Sequence, residues 1–190
     1  MPRKMVGLGG SLRAGSLNGA LLVEAGRLIP AGWEWQIADY RTFPPYNADL
    51  EARSYPEVVL ACKELVAAAD ALLLVSPEYN NGVPGVLKNA VDWLSRPARD
   101  ADRVFGDLPV ALTGVSAGGF GTMLSQSAWL PTLKVLGLRV YTEHTLYVSR
   151  GNGLFAEGRL TDEATRERLR KLVTGFAAYA ERSPRRKAAE

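Results

Sequence analysis

The chain has 190 residues, 47% of them hydrophobic and 23% charged, which suits one globular domain with a sizeable core. A formal charge of +3 is too mild to mark a nucleic-acid binder, and the basic run Arg182-Ser183-Pro184-Arg185-Arg186-Lys187 has no interleaved aromatics. That run reads as a solvated, flexible tail over residues 182–190. No apolar stretch is long enough to span a membrane, and the N-terminus enters a strand-like segment instead of a signal peptide. With Cys62 as the lone cysteine, no internal disulfide forms, and the expected setting is cytoplasmic.

Met5–Leu8 is an apolar strand candidate, followed by Leu17, Leu21, Ala25, Leu28 and Ile29 at helical spacing. Pro30-Ala31-Gly32 stops that helix, and Trp33–Ala38 alternates like a strand. A loop rich in Pro, Tyr and Asn covers about 41–52, and Ser54 is the expected cap of a helix over 56–69. Ala71–Val75 is a continuous apolar run closed by Ser76-Pro77, the pattern of a strand buried on both faces. Pro84 opens a helix to about Ser95. Pro109–Val115 is another central strand, Ser127–Leu136 a helix containing Pro131, and Arg139–Thr142 a last strand. The final helix spans Thr161–Glu181, with Thr161 as cap and Asp162 and Glu163 in its first turn. Strands alternating with helices make an α/β protein with a covered parallel sheet. Ligands in such folds bind beyond the carboxyl ends of the strands.

Three loops at those ends carry unusual chemistry. The first, Gly10-Ser11-Leu12-Arg13-Ala14-Gly15-Ser16-Leu17-Asn18, joins a strand to a helix and offers hydroxyls, an amide and a guanidinium to an anion. Leucine stands where a dinucleotide fingerprint needs its third glycine, and the chain has no Gly-Lys-Ser/Thr of a triphosphate loop. A monophosphate remains. The second loop, Ser76–Gly85, is stiffened by Pro77, Asn80, Asn81, Gly82 and Pro84, and it presents backbone groups beside Tyr79, which suits a flat heterocycle. The third, Gly114–Gly121, contains Gly-Val-Ser-Ala-Gly and so matches a nucleophile elbow centred on Ser116. The single histidine, His144, has only the adjacent Glu143 as an acid between it and Ser116, and strand neighbours face opposite sides. Small residues there instead let a ring lie close to the backbone. One histidine and one distant cysteine offer no metal cluster.

With these loops together, the sequence resembles the NADPH-dependent FMN reductase family, and within it the bacterial quinone and chromate reductases. The resemblance runs through Gly10–Asn18 and through Pro77-Glu78-Tyr79-Asn80-Asn81-Gly82-Val83-Pro84-Gly85-Val86-Leu87-Lys88-Asn89-Ala90-Val91-Asp92-Trp93-Leu94-Ser95-Arg96. It implies a flavodoxin-like three-layer sandwich, one domain over 1–190, with a five-stranded parallel sheet in the order 2-1-3-4-5. Ser11, Arg13, Ser16, Leu17 and Asn18 would hold the FMN phosphate through side chains and backbone amides. Pro77, Glu78, Tyr79 and Asn80 would line the isoalloxazine and ribityl chain, and Ser116, Ala117, Gly118 and Gly119 the ring's other edge. The implied activity is hydride transfer from NADPH (or NADH) through FMN to a small oxidised acceptor by a ping-pong scheme, with no catalytic side chain and no metal. A homodimer or homotetramer is implied, with the helix Lys88–Ser95 and the helix near Trp129 as interface parts. Relatives often carry Leu-Arg where Trp129-Leu130-Pro131-Thr132 stands here. The competing readings are a flavodoxin-type electron carrier and a serine hydrolase using Ser116. Flavodoxins are typically acidic, whereas this chain has a pI near 9.1.

Overall fold

The computed structural model describes residues 2–186. Strand β1 (Arg3–Gly9) lies between β2 (Trp33–Ile37) and β3 (Ala71–Val75), and β4 (Pro109–Val115) follows β3, all parallel. The order is β2-β1-β3-β4-β5, the expected one. The fifth place, however, is divided. Strand β5 covers only Arg139–Val140, pairing with Pro109–Val110, and β6 (Leu146–Val148) resumes the edge against Thr113–Val115. The expected strand over Arg139–Thr142 is therefore short, because the chain leaves the ladder after Val140 and returns at Leu146. An antiparallel pair, β7 (Phe155–Ala156) and β8 (Arg159–Leu160), follows.

Both faces of the sheet are covered, as the apolar run in β3 requires. Ala71, Leu73 and Val75 belong to one cluster, with Leu21 and Ala25 of α1 (Leu17–Arg27) and Leu172 and Phe176 of α7 (Glu163–Arg182). Leu72 and Leu74 belong to the other. It includes Val66 of α3 (Glu57–Ala67), Leu87 and Leu94 of α4 (Gly85–Leu94), Phe105 of α5 (Ala101–Phe105) and Leu133 of α6 (Met123–Val135). Period-2 alternation along one strand thus feeds two cores. Glu24 ties α1 to α7 by accepting from Arg166 at 2.7 Å. Burial pushes its carboxyl upward, but hydrogen bonds from Arg166 and Arg27 outweigh this and leave it below its ordinary value.

Several local expectations are corrected. The region over 41–52 contains a short helix, α2 (Ala48–Arg53), capped by Asn47. Pro56, not Ser54, precedes α3, and Asp162, not Thr161, caps α7 through a bond from the Thr165 amide. Helix α6 starts at Met123, four residues before the expected Ser127, and continues through Pro131. The bond that Pro131 cannot make would have ended on Ser127, and both residues are exposed, so water can serve that carbonyl. Within 182–186, Arg182, Pro184 and Arg186 are exposed, but the expected solvated run is interrupted at one residue. Arg185 is buried and donates to the carbonyls of Ala67, Arg103 and Gly106, at 2.7–3.0 Å. The guanidinium is well matched to a cluster of orphan carbonyls at helix ends. Residues 187–190 lie outside the described residues. Among the described residues no helix is long and apolar enough to cross a membrane, and no metal-binding cluster of His, Cys, Asp or Glu occurs.

Candidate functional site

The carboxyl ends of β1, β3 and β4 bring the three loops together around a cavity of about 180 Å³. Ser11, Arg13, Ser16, Leu17 and Asn18 line it from the first loop, Pro77, Glu78 and Tyr79 from the second, and Ser116 and Ala117 from the third. Asn80, Gly118 and Gly119 lie outside it, on exposed parts of the same loops.

The first loop closes tightly onto the second. The Gly10 amide donates to the Val75 carbonyl at 2.8 Å, and a side chain at Gly10 would meet Pro77 Cδ at 2.7 Å and Pro84 Cγ at 2.9 Å. Ser16 is the N-cap of α1, its Oγ accepting from the Gly19 amide at 3.1 Å. The Ala20 amide reaches the Ser16 carbonyl, which leaves the N–H groups of Leu17 and Asn18 as the unpaired donors of the helix end. A serine hydroxyl that accepts from one amide still has its own proton to donate. Together with Arg13, these groups form an anion cradle in which the positive end of the helix dipole adds to the guanidinium charge.

Asn18 has another task than direct contact. Its side chain is buried and grips the end of β4, donating to the Val115 carbonyl at 2.8 Å and accepting from the Val115 amide at 2.9 Å. The Asn18 side chain thereby spends one N–H and its oxygen on Val115, and its backbone N–H belongs to the open end of the helix.

The second loop is held at both ends. At its base, Ser76 Oγ accepts from Trp129 Nε1 at 2.9 Å and lies 3.0 Å from Ser125 Oγ, in a buried network. At its tip, Tyr79 and Gly82 exchange backbone bonds across Asn80 (φ 50°) and Asn81 (φ 59°). Asparagine is one of the few residues that tolerates this left-handed geometry. Between them, Glu78 Oε2 accepts from the amides of Leu124 at 2.9 Å and Ser125 at 3.1 Å. It is a long-range cap on α6, with a carboxylate at the positive helix end. Through Oε2 its side chain locks two loops together.

The third loop is fixed by a segment the sequence reading left out. Ser116 donates to the Val148 carbonyl, the Gly151 amide to the Ser116 carbonyl, and the Arg150 amide to the Gly118 carbonyl, all at 2.9 Å. Arg150 adopts φ 51°, an uncommon value for a bulky residue, and Asn152 joins the cavity wall. The Gly-Asn-Gly at 151–153 was a turn signal after the last strand, but nothing in its spacing tied it to the third loop. The hydrolase reading loses its geometry. Ser116 Oγ turns to the Gly118 carbonyl at 3.4 Å, while His144 is exposed and packs edge-on to Tyr141 against α7 near Gly175. Gly114, the first glycine of that motif, is there because a Cβ would collide with the Ser76 carbonyl.

A doubly covered parallel sheet in the order 2-1-3-4-5, with three polar and glycine-rich loops gathered at the carboxyl ends of its central strands, defines a flavodoxin-like fold with its cavity where such folds take ligands. The match to known proteins narrows this further. The family model for NADPH-dependent FMN reductase matches residues 3–153, and the chain belongs to that family. It is 39% identical to a NAD(P)H-dependent FMN reductase of Pseudomonas aeruginosa, covering 94% of this chain and 96% of that one. It is 35% identical to a 2-hydroxy-1,4-benzoquinone reductase of a Burkholderia species, over 94% of this chain and 97% of that protein. Among solved structures, the flavoenzyme NAD(P)H:(acceptor) oxidoreductase FerB of Paracoccus denitrificans superimposes with a TM-score of 0.86 at 32% identity, covering 96% of this chain and 99% of that one. The protein is thus an oxidoreductase whose cofactors are FMN and NAD(P)H.

Proposed function

We propose that the cradle holds the FMN phosphate and that the protein passes hydride from NAD(P)H to small oxidised acceptors of the quinone, flavin, azo or metal-oxyanion type by a ping-pong scheme. The observation that carries this is the one cavity shared by Ser11, Arg13, Ser16, Leu17 and Asn18 with Pro77–Tyr79 and Ser116–Ala117. The relatives named for FMN and benzoquinone reduction support the acceptor class. Bound FMN supplies the two-electron chemistry.

The chain's own part is positional. Arg13, Ser11, Ser16 and the amides of Leu17 and Asn18 anchor the phosphate. The backbone of Pro77–Asn80 and of Ser116–Gly119 lies where the ring edge would meet donors already fixed in place, so no reorganisation is needed as charge develops. Tyr79 is exposed beside it, which leaves one side of the site open to a nicotinamide and then to an acceptor. No side chain takes a proton in this scheme. The lone Cys62 is buried, and burial first of all pushes its thiol up to about 12, which keeps it protonated and a weak nucleophile.

Self-association belongs to the same reading. Trp129 itself is fully buried, but Phe120, Met123, Leu124, Leu130 and Val135 are exposed along its helix α6 and its approach. Such an exposed apolar surface, beginning at the third loop, supports a contact with a second copy beside the flavin site. Sedimentation should give a dimer or tetramer, and Val135→Glu with Leu130→Glu should give monomers.

The whole reading is tested by absorbance. The purified protein should be yellow and should bleach anaerobically on adding NADPH, with parallel double-reciprocal plots when acceptor is varied. A protein that takes up no FMN would sink it. A flavin that NADPH leaves oxidised would return the flavodoxin-type carrier, and intersecting plots would remove the ping-pong order.

A further inference from the structure

The first loop has a second side. Between it and the end of β2 lies an open groove of about 520 Å³, and Leu12, Tyr40 and Arg41 make it continuous with a further 280 Å³ beside Phe43 and Val86. Together they reach the size of a small-molecule site, about 300–1,000 Å³. Ser11 and Arg13 line both this groove and the phosphate cradle, so the loop is a shared wall between them.

The groove's chemistry is composite. Its floor is apolar, with Leu22 and Ala38 buried and Leu12 and Ile37 partly exposed. The Tyr40 hydroxyl is tied to the Gly9 carbonyl, and its largely buried ring, which meets Phe43 edge-on at 6.0 Å, forms part of the groove's apolar base. The rim carries two guanidinia, Arg13 and Arg41, and one carboxylate, Asp39. Asp39 and Arg41 form a fork: Nε donates to Oδ1 at 2.9 Å and Nη2 to Oδ2 at 2.6 Å. Both are largely solvent-exposed. A guanidinium has five N–H donors, so the fork leaves Nη1 and one N–H of Nη2 for another anion.

These parts match one kind of molecule: a flat base, a ribose and a phosphate. The position argues the same way. The first loop here serves a monophosphate and not a dinucleotide's pyrophosphate, but the pair of groups is the one that dinucleotide folds use at this strand end, where an acid accepts from the ribose 2′-hydroxyl of NAD and an arginine takes the 2′-phosphate of NADP. Asp39 and Arg41 stand just past the end of β2, beside the loop that follows β1. We infer that this groove receives the adenosine end of the nicotinamide nucleotide, Arg41 donating to a 2′-phosphate and Asp39 accepting from an unphosphorylated ribose. Because the two are paired, the enzyme uses both nucleotides, and the balance lies in this pair. Arg53 turns to the Asp49 carbonyl, Arg96 lies over the Tyr46 ring and Arg99 lines a separate pocket beside Lys63 and Asp100, so Arg41 and Arg13 are the guanidinia that line this groove.

The inference rests on the reductase reading, and two measurements separate them. In steady-state kinetics, Arg41→Ala should raise the KM for NADPH about tenfold and that for NADH by less than about twofold, the loss of one charge-assisted contact. Asp39→Asn should do the reverse, and kcat should hold in both, since neither residue touches the reacting atoms. Separately, adenosine 2′,5′-bisphosphate should bind the FMN-loaded wild type by calorimetry, compete with NADPH, and bind Arg41→Ala about tenfold more weakly. Unchanged KM values for both nucleotides in Arg41→Ala, or equal losses for both, would overturn the inference, as would bisphosphate binding that ignores the substitution. If the wild type oxidises neither nucleotide, the reductase reading fails, while bisphosphate binding lost in Arg41→Ala still supports the groove.

Discussion

On the side of the first loop that faces β4, Ser16 and Asn18 are buried and every polar side-chain contact ends on backbone. On the side that faces β2, Arg13, Asp39 and Arg41 stand exposed, and Asp39 and Arg41 pair with each other. The first side is rigid because an unpaired amide in a dry setting costs about 1–3 kcal/mol, so each displacement is opposed. The second side is soft, because exposed ion pairs contribute little and rearrange readily. A rigid wall suits a cofactor that stays bound, and a soft one suits a nucleotide that must leave after each turnover.

The largest effect should come from breaking the rigid side. Asn18→Ala leaves the Val115 N–H and C=O buried without partners, so urea unfolding should show a loss of about 2–5 kcal/mol. A loss below about 0.5 kcal/mol, the usual range of a surface change, would erase the difference between the two sides. Next, Arg13→Ala should weaken FMN binding about 10- to 100-fold in a flavin-fluorescence titration, while the apoprotein's unfolding midpoint barely moves. Equal effects on both would mean that Arg13 is structural.

A smaller effect is expected from the link between the second loop and α6. Glu78→Ala removes a cap from the Leu124 and Ser125 amides and should cost about 0.5–2 kcal/mol, with Glu78→Gln recovering part of it. Full recovery by glutamine would show that the carboxylate's charge at the helix end is immaterial. The smallest effect belongs to the soft side. Hydrogen bonds from the Arg41 side chain first, and from its backbone amide second, hold the Asp39 carboxyl down to about 2, against 3.8 as its ordinary value. The unfolded carboxyl takes up its proton first as pH falls, so the pair's contribution is full above 3.8 and gone below about 2. Wild type and Arg41→Ala should therefore differ slightly in urea midpoint at pH 5 and not at pH 2. A gap that persists at pH 2 would assign Arg41 a role other than this pairing.

Much of the site was legible in the chain. The hydroxyls and glycines of Gly10–Asn18, the prolines and asparagines of Ser76–Gly85 and the small residues after β4 each announced a loop of special backbone geometry. Less legible were the partners of particular side chains. Asn18 reads as a cap or a phosphate ligand from its neighbours, and only the arrival of Val115, 97 residues away, makes it a clamp. Glu78 likewise reads as a ring contact until α6 brings its amides to the carboxylate. Arg185 looked like part of a solvated basic tail, since nothing local shows the three carbonyl-bearing segments that converge on it.

The sequence by itself determined the alternation of strands and helices, the burial of β3 on both faces and the places where the chain must turn. Those follow from periodicity and from the backbone limits of glycine, proline and asparagine, which are local properties. The tertiary structure decided the divided edge strand, the roles of Asn18, Glu78 and Arg150, and the second groove beside Asp39 and Arg41. Each of these depends on hydrogen bonds or cavities formed by segments far apart in the chain, and no local pattern encodes which distant group will arrive.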